Sequence, residues 1–151
     1  NYFKFKDGEN VFRILSSAIV GYEYWNEDGK PIRAKQNWID RPQDIRTEKD
    51  GSTRIKHFWA FVVWNYASEK VQIMEITQSS IQNAITALVK NKNWGDPKLY
   101  DLSITRKGDG LDTEYSVMPN PQSPLEEKVT NTYKLKPIKL EALYDSKDPF
   151  Q

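Results

Sequence analysis

The chain of 151 residues contains no cysteine. Disulfide frameworks, thiolate nucleophiles and zinc–thiolate sites are therefore excluded. It has one histidine, His57, so neither a multi-histidine metal centre nor a histidine-pair mechanism is available. No apolar run approaches the ~20 residues of a membrane span, and no leader-like segment opens the sequence. Charge of one sign is missing too: 22 Lys and Arg stand against 21 Asp and Glu. The 7 glycines are scattered and form neither a phosphate-binding loop nor a dinucleotide fingerprint. No nucleophile–base pair is visible, and Asp109, Asp112, Glu126 and Glu127 are loop acids with nothing to complete a metal site. The expectations are a protein without catalysis, cofactor, metal or membrane partner, placed in the cytoplasm.

Aromatic residues are what the chain has in abundance: 13%, with 5 Trp and 8 Tyr. The balanced charge also hides a local excess. From Gly29 to His57 there are 8 basic residues against 4 acidic ones. A near-neutral chain with one basic region points to a localised anionic partner, although a charge run alone is explained as well by a solvated loop.

Strand-like segments dominate, rich in β-branched and aromatic residues and separated by Gly, Asn, Asp and Ser. They are Asn10–Leu15, Ala18–Trp25, Lys30–Lys35, Arg54–Trp64, Lys70–Ile76, Tyr100–Arg106 and Asp112–Met118. The last two flank Gly108-Asp109-Gly110, a hairpin signal. One helix is predicted, because Ile81, Ala84, Ile85, Leu88 and Val89 form the helical stripe. Ser79 with Gln82 reads as a capping box, Thr77 is a rival cap, and Gly95 and Pro97 stop the helix. Such a helix plugs one end of a sheet's core. The expected fold is mainly β: an oligonucleotide-binding (OB) type antiparallel barrel over residues 1–119, with one helix inserted between strands. Pro119, Pro121, Pro124 and Pro137 then break periodicity, so Asn120–Gln151 is expected as an extended C-terminal arm.

Asp28-Gly29 is a strong two-residue turn signal. That turn sets Tyr24 opposite Arg33 and Tyr22 opposite Lys35, all on one face, and turns Glu23, Trp25, Ile32 and Ala34 to the other. Bases stack on aromatic rings while cations hold phosphates, at ~1–3 kcal/mol per stacked base and with little regard to sequence. Cross-strand stabilisation of the hairpin is the plainer use of one such pair, and a one-residue slip exchanges the faces. The long polar loop Asn37–Ser52 adds Trp38 and Arg41. In the next strand Arg54, Lys56 and Phe58 share one parity, while His57, Trp59, Phe61 and Val63 share the other and read as core. Phe58 is divided evenly between core and binding. The candidate nucleic-acid-binding set is therefore Tyr22, Tyr24, Arg33, Lys35, Trp38, Arg41, Arg54, Lys56 and Phe58.

Several motifs occur in order: Asp7-Gly8-Glu9-Asn10 with Arg13-Ile14-Leu15, the run from Lys56 to Tyr66, Ile73-Met74-Glu75-Ile76-Thr77-Gln78, Trp94-Gly95-Asp96-Pro97 and Tyr100-Asp101-Leu102. Together, over Phe5 to Pro121, they resemble a family of bacteriophage single-stranded-DNA-binding proteins. The resemblance implies an OB-fold core, sequence-tolerant binding of single-stranded DNA, and a role in phage replication, recombination or repair in the host cytoplasm. It implies no catalysis and no obligatory metal. Proteins of this class often carry an acidic tail; here Glu126, Glu127, Glu141, Asp145 and Asp148 are offset by 5 lysines. Asp148-Pro149-Phe150 faintly resembles the Phe-ended tails through which such binders recruit replication or recombination proteins, and a disordered linker is an equal reading. Two rivals stand beside DNA binding. One is a carbohydrate-binding β domain, since aromatic faces also stack on sugars; the other is an OB-fold accessory protein acting through protein contacts only.

Overall fold

A computed structural model describes residues 1–49 and 51–151; Asp50, within the expected long loop, lies outside the described residues. Seven strands form one antiparallel sheet: β1 (Gly8–Ile14), β2 (Ile19–Trp25), β3 (Pro31–Ala34), β4 (Lys56–Asn65), β5 (Lys70–Ile76), β6 (Asp101–Lys107) and β7 (Glu114–Pro119). Every segment with strand composition became a strand, with no end moved by more than two residues. The order is β3-β2-β4-β1-β6-β7, with β5 on the second edge of β4. β4 is the hub. Its first half pairs with β2 and its end pairs with β1, while β5 runs along its other side. Among the described residues the path is open, with β3 and β7 at its ends. This mainly β, antiparallel architecture is consistent with an OB-type fold.

Helix α1 (Ser79–Lys90) follows β5, as the stripe predicts. Its buried Ile81 and Ile85 join Phe12, Ile14, Phe61, Val63, Met74, Ile76, Tyr100, Leu102 and Ile104 in the main core. Each such aliphatic side chain contributes roughly 1.5–3 kcal/mol on burial. The capping box does not form. Gln78 is the N-cap and offers no side-chain bond to the helix; its Oε1 accepts the Thr77 N–H at 3.2 Å. Buried Gln82 instead donates from Nε2 to the carbonyls of His57 and Ile76, each at 3.0 Å. Two backbone acceptors inside the fold outweigh a solvated cap, because unmet buried carbonyls are costly.

The expected core residues of β4 face α1, but the strand is buried on both sides. Phe58, Ala60, Val62 and Trp64 point away from α1 and are 0 to 3% exposed. What covers them is the C-terminal segment. Helix α2 (Glu127–Leu135) packs Val129 near Val62, Trp64 and Val71. The 3-10 turn Leu140–Asp145 packs Leu143 against Phe58, Ala60 and Ile73. The Tyr144 hydroxyl donates to the Val20 carbonyl at 2.5 Å. Among the described residues no helix is long and apolar enough to cross a membrane.

Candidate nucleic-acid interface

The β2–β3 hairpin carries most of the candidate residues, and its register differs from the two-residue turn. Tyr22 pairs with Ala34, Glu23 with Arg33, Tyr24 with Ile32 and Trp25 with Pro31. The loop is therefore Glu27-Asp28-Gly29. Asn26 Oδ1 accepts the Lys30 N–H at 2.9 Å, the Gly29 N–H donates to the Asn26 carbonyl, and Gly29 takes φ 76°. A left-handed glycine closing a three-residue loop adds one residue to the turn. The slip moves Arg33 to the face opposite the tyrosines.

Arg33 is held there. Its Nε lies 3.0 Å from Glu23 Oε1 and its Nη2 lies 2.7 Å from Glu75 Oε2. Its guanidinium stands 5.9 Å from the Phe58 ring centre. Lys35 shares that side: its Nζ is 3.9 Å from Glu141 and 5.4 Å from the Tyr144 ring centre. Phe58 is 0% exposed, so of its two readings the structure takes core. Arg33, Lys35 and Phe58 are thus not brought together with the tyrosines.

On the tyrosine face the neighbours are aromatic. Half-buried Tyr22 pairs with His57 across the β2–β4 ladder, ring centres 5.5 Å apart and edge to face. Tyr24 meets Trp38 at 5.0 Å, also edge to face. Tyr24 itself is 7% exposed, and its hydroxyl donates to Asp44 Oδ1 at 3.1 Å. It supports Trp38 and the loop rather than offering its own ring. Burial and the Asp44 carboxylate push its phenol above the ordinary tyrosine value. The loop after β3 is anchored to β2: Ile45 bridges Asn26, and the Arg46 guanidinium stands 5.1 Å over the Trp25 ring.

Beside His57 the surface turns cationic. A cavity of about 500 Å³ is lined by Arg54, Lys56 and His57 on one side and by Gln78, Ser79 and Ser80 at the start of α1 on the other. No acidic residue lies in the first turn of α1, and among the described residues exposed Arg54 has the only guanidinium lining this cavity. Arg41, on the same loop as Trp38, donates to the Thr53 carbonyl and, at 3.0 Å, to Thr53 Oγ1. The structure therefore brings Tyr22 and Arg54 to a residue the sequence reading assigned to the sheet interior, with Trp38 held beside Tyr24, while Lys56 pairs with Glu23 on the opposite parity and lines the cavity edge. His57 is exposed, and it belongs both to the aromatic row and to the cationic cavity. Its register partner is Tyr22 on β2, a pairing between residues 35 apart in sequence that no local signal announces. Among the described residues no group of three His, Cys, Asp or Glu side chains could hold a metal ion.

No protein-family model matches the chain, and no solved structure matches it. Among curated proteins it is similar to a "probable ssDNA-binding protein" of Escherichia phage T5, 29% identical over 140 residues. The match covers 77% of this chain and 53% of that protein, so the chain spans about half the length of the curated relative it matches. The resemblance read from the motifs is met by a relative of that description.

Proposed function

We propose that the chain binds single-stranded DNA with little sequence preference, as part of phage DNA replication, recombination or repair. One observation carries this reading. Stackable rings (Tyr22 and His57, with Trp38 beside Tyr24) and a cavity carrying the Arg54 guanidinium lie on one side of the sheet, with His57 common to both. Bases stack on the rings and cations neutralise the phosphates between them; this chemistry tolerates any sequence because every base has a π-face. The similarity to a phage protein of that name supports the same reading. Residues 120–151 leave Leu135 84% exposed beside Lys134 and Lys136, a surface on which replication or recombination proteins can be recruited.

The test is titration with oligothymidylate while tryptophan emission is followed. Quenching that weakens as salt rises is the expected result. No response to DNA, together with a response to an oligosaccharide, turns the aromatic face into a sugar site.

A further inference from the structure

A second depression lies on the same side of the sheet as Tyr22, one strand repeat further along. Val20 pairs with Trp59 as Tyr22 pairs with His57. Residues two apart on a strand share a face and stand ~6.6 Å apart. Val20 and half-buried Trp59 form one wall of a groove of about 450 Å³, and Val89 of α1 helps form the other. Val20 is 49% exposed and Val89 46%, large fractions for aliphatic residues facing each other across an apolar floor of Phe61 and Ile85. The rim is polar. Lys90 closes α1, and Lys98 stands in the 3-10 turn Pro97–Leu99. The rim's acid, Asp96, accepts the Lys98 backbone N–H at 2.9 Å.

We propose that this groove is a base subsite: it takes one nucleobase of a single DNA strand that continues past Tyr22 and His57. The inference rests on the single-stranded-DNA reading above. Two features select a nucleotide over another apolar occupant. The groove continues the aromatic row in its own direction, at strand-repeat spacing. Its mouth also carries a lysine from each of two different elements, where a base entering edge-on leaves its phosphates. A ring laid between Trp59 and Val89 leaves water, while the backbone stays among the cations.

Abasic scanning tests this. A single abasic nucleotide is moved along an oligothymidylate, and affinity is measured for the parent protein, for Val89→Glu and for Tyr22→Ala. In the parent, at least two positions should each cost roughly tenfold, the loss of one stacked base. Val89→Glu should weaken the intact oligomer by a similar factor and remove the penalty at one position only, leaving the Tyr22-dependent position sensitive. Val89 is exposed on α1, so the variant is expected to fold, and its melting curve is recorded on the same samples. If Val89→Glu leaves every abasic penalty unchanged while Tyr22→Ala still removes one, the groove is not a base subsite and the wider reading survives. If the parent binds no DNA, both fail. If Val89→Glu changes the sedimentation coefficient of the free protein, the groove seats a second copy instead.

Discussion

Glu23 and Glu75 flank one guanidinium: Arg33 Nε lies 3.0 Å from Glu23 Oε1 and Arg33 Nη2 lies 2.7 Å from Glu75 Oε2. Burial first, then the hydrogen bond and charge of Glu75, push the Glu23 carboxyl from 4.5 up to about 9, and Arg33 only partly opposes them. Buried Glu23 shares its cation with half-buried Glu75, so the second negative charge is disfavoured and Glu23 is held in its protonated form. The cluster fastens the β2–β3 hairpin, and with it Tyr22, to β5.

This arrangement predicts how stability varies with pH. The unfolded chain releases the Glu23 proton near 4.5, and the folded chain keeps it to about 9. Between those values the native state binds more protons, so its stability falls as pH rises. The contribution is complete below 4.5 and lost above about 9. Glu23→Gln holds the neutral form permanently. Its melting temperature should exceed that of the parent at the alkaline end of this window, and its pH profile should be flatter. Parallel profiles for the two proteins would show that Glu23 is ionised in the fold.

The C-terminal segment closes the second face of β4, and this makes a prediction about cooperativity. Phe58→Ala should cost about 3–5 kcal/mol, the usual loss for a buried phenylalanine. Removing Leu140–Gln151 takes Leu143, Tyr144 and Phe150 from the same cluster and should lower the melting point comparably. In the full chain a single calorimetric transition is expected. A separate early transition that the deletion abolishes would mark residues 120–151 as an independent arm.

Strands and helix were legible because their signals are local: alternation in β6 and β7, the 3.6-residue stripe in α1. The hairpin register was not, since Asp28-Gly29 fits both a two- and a three-residue loop. The Asn26 side chain decides between them by holding the Lys30 N–H. The place of Arg33 was beyond reach for another reason: Glu75 lies 42 residues away and on a different strand. The fate of Phe58 did leave a trace. From Phe58 to Trp64 every residue is apolar, the mark of a strand buried on both faces. That run required a second covering layer, and the sparse Val129, Ile138, Leu140 and Leu143 supply it.

The two tyrosines of the hairpin should behave differently. Tyr22→Ala should weaken DNA binding by ~1–3 kcal/mol with little change in melting, and Tyr22→Phe should lose much less, because the ring makes the contact. Tyr24→Ala removes the support under Trp38 and the Asp44 bond, so it should lower stability and loosen the loop. Fluorescence titration and thermal melting of each variant separate the two roles. Equal binding losses with unchanged melting for both would mean that Tyr24 also presents its ring.

Salt dependence counts the cations that meet phosphate. With single strands, log K falls by ~0.7 per phosphate neutralised for each unit of log salt. Arg33 is committed to Glu23 and Glu75, and Lys35 lies on the far face beside Glu141. Arg54 beside His57 and Arg41 on the Trp38 loop remain, with Lys90 and Lys98 along the groove, so the slope should lie between roughly −1.4 and −2.8. Arg54→Ala should flatten it by about 0.7 and weaken binding to all sequences alike. Lys35→Ala should leave the slope unchanged, since the phosphates pass on the other side of the sheet. If instead Lys35→Ala flattens the slope and Arg54→Ala does not, the strand runs over the C-terminal face, and the cationic cavity beside His57 is not its path.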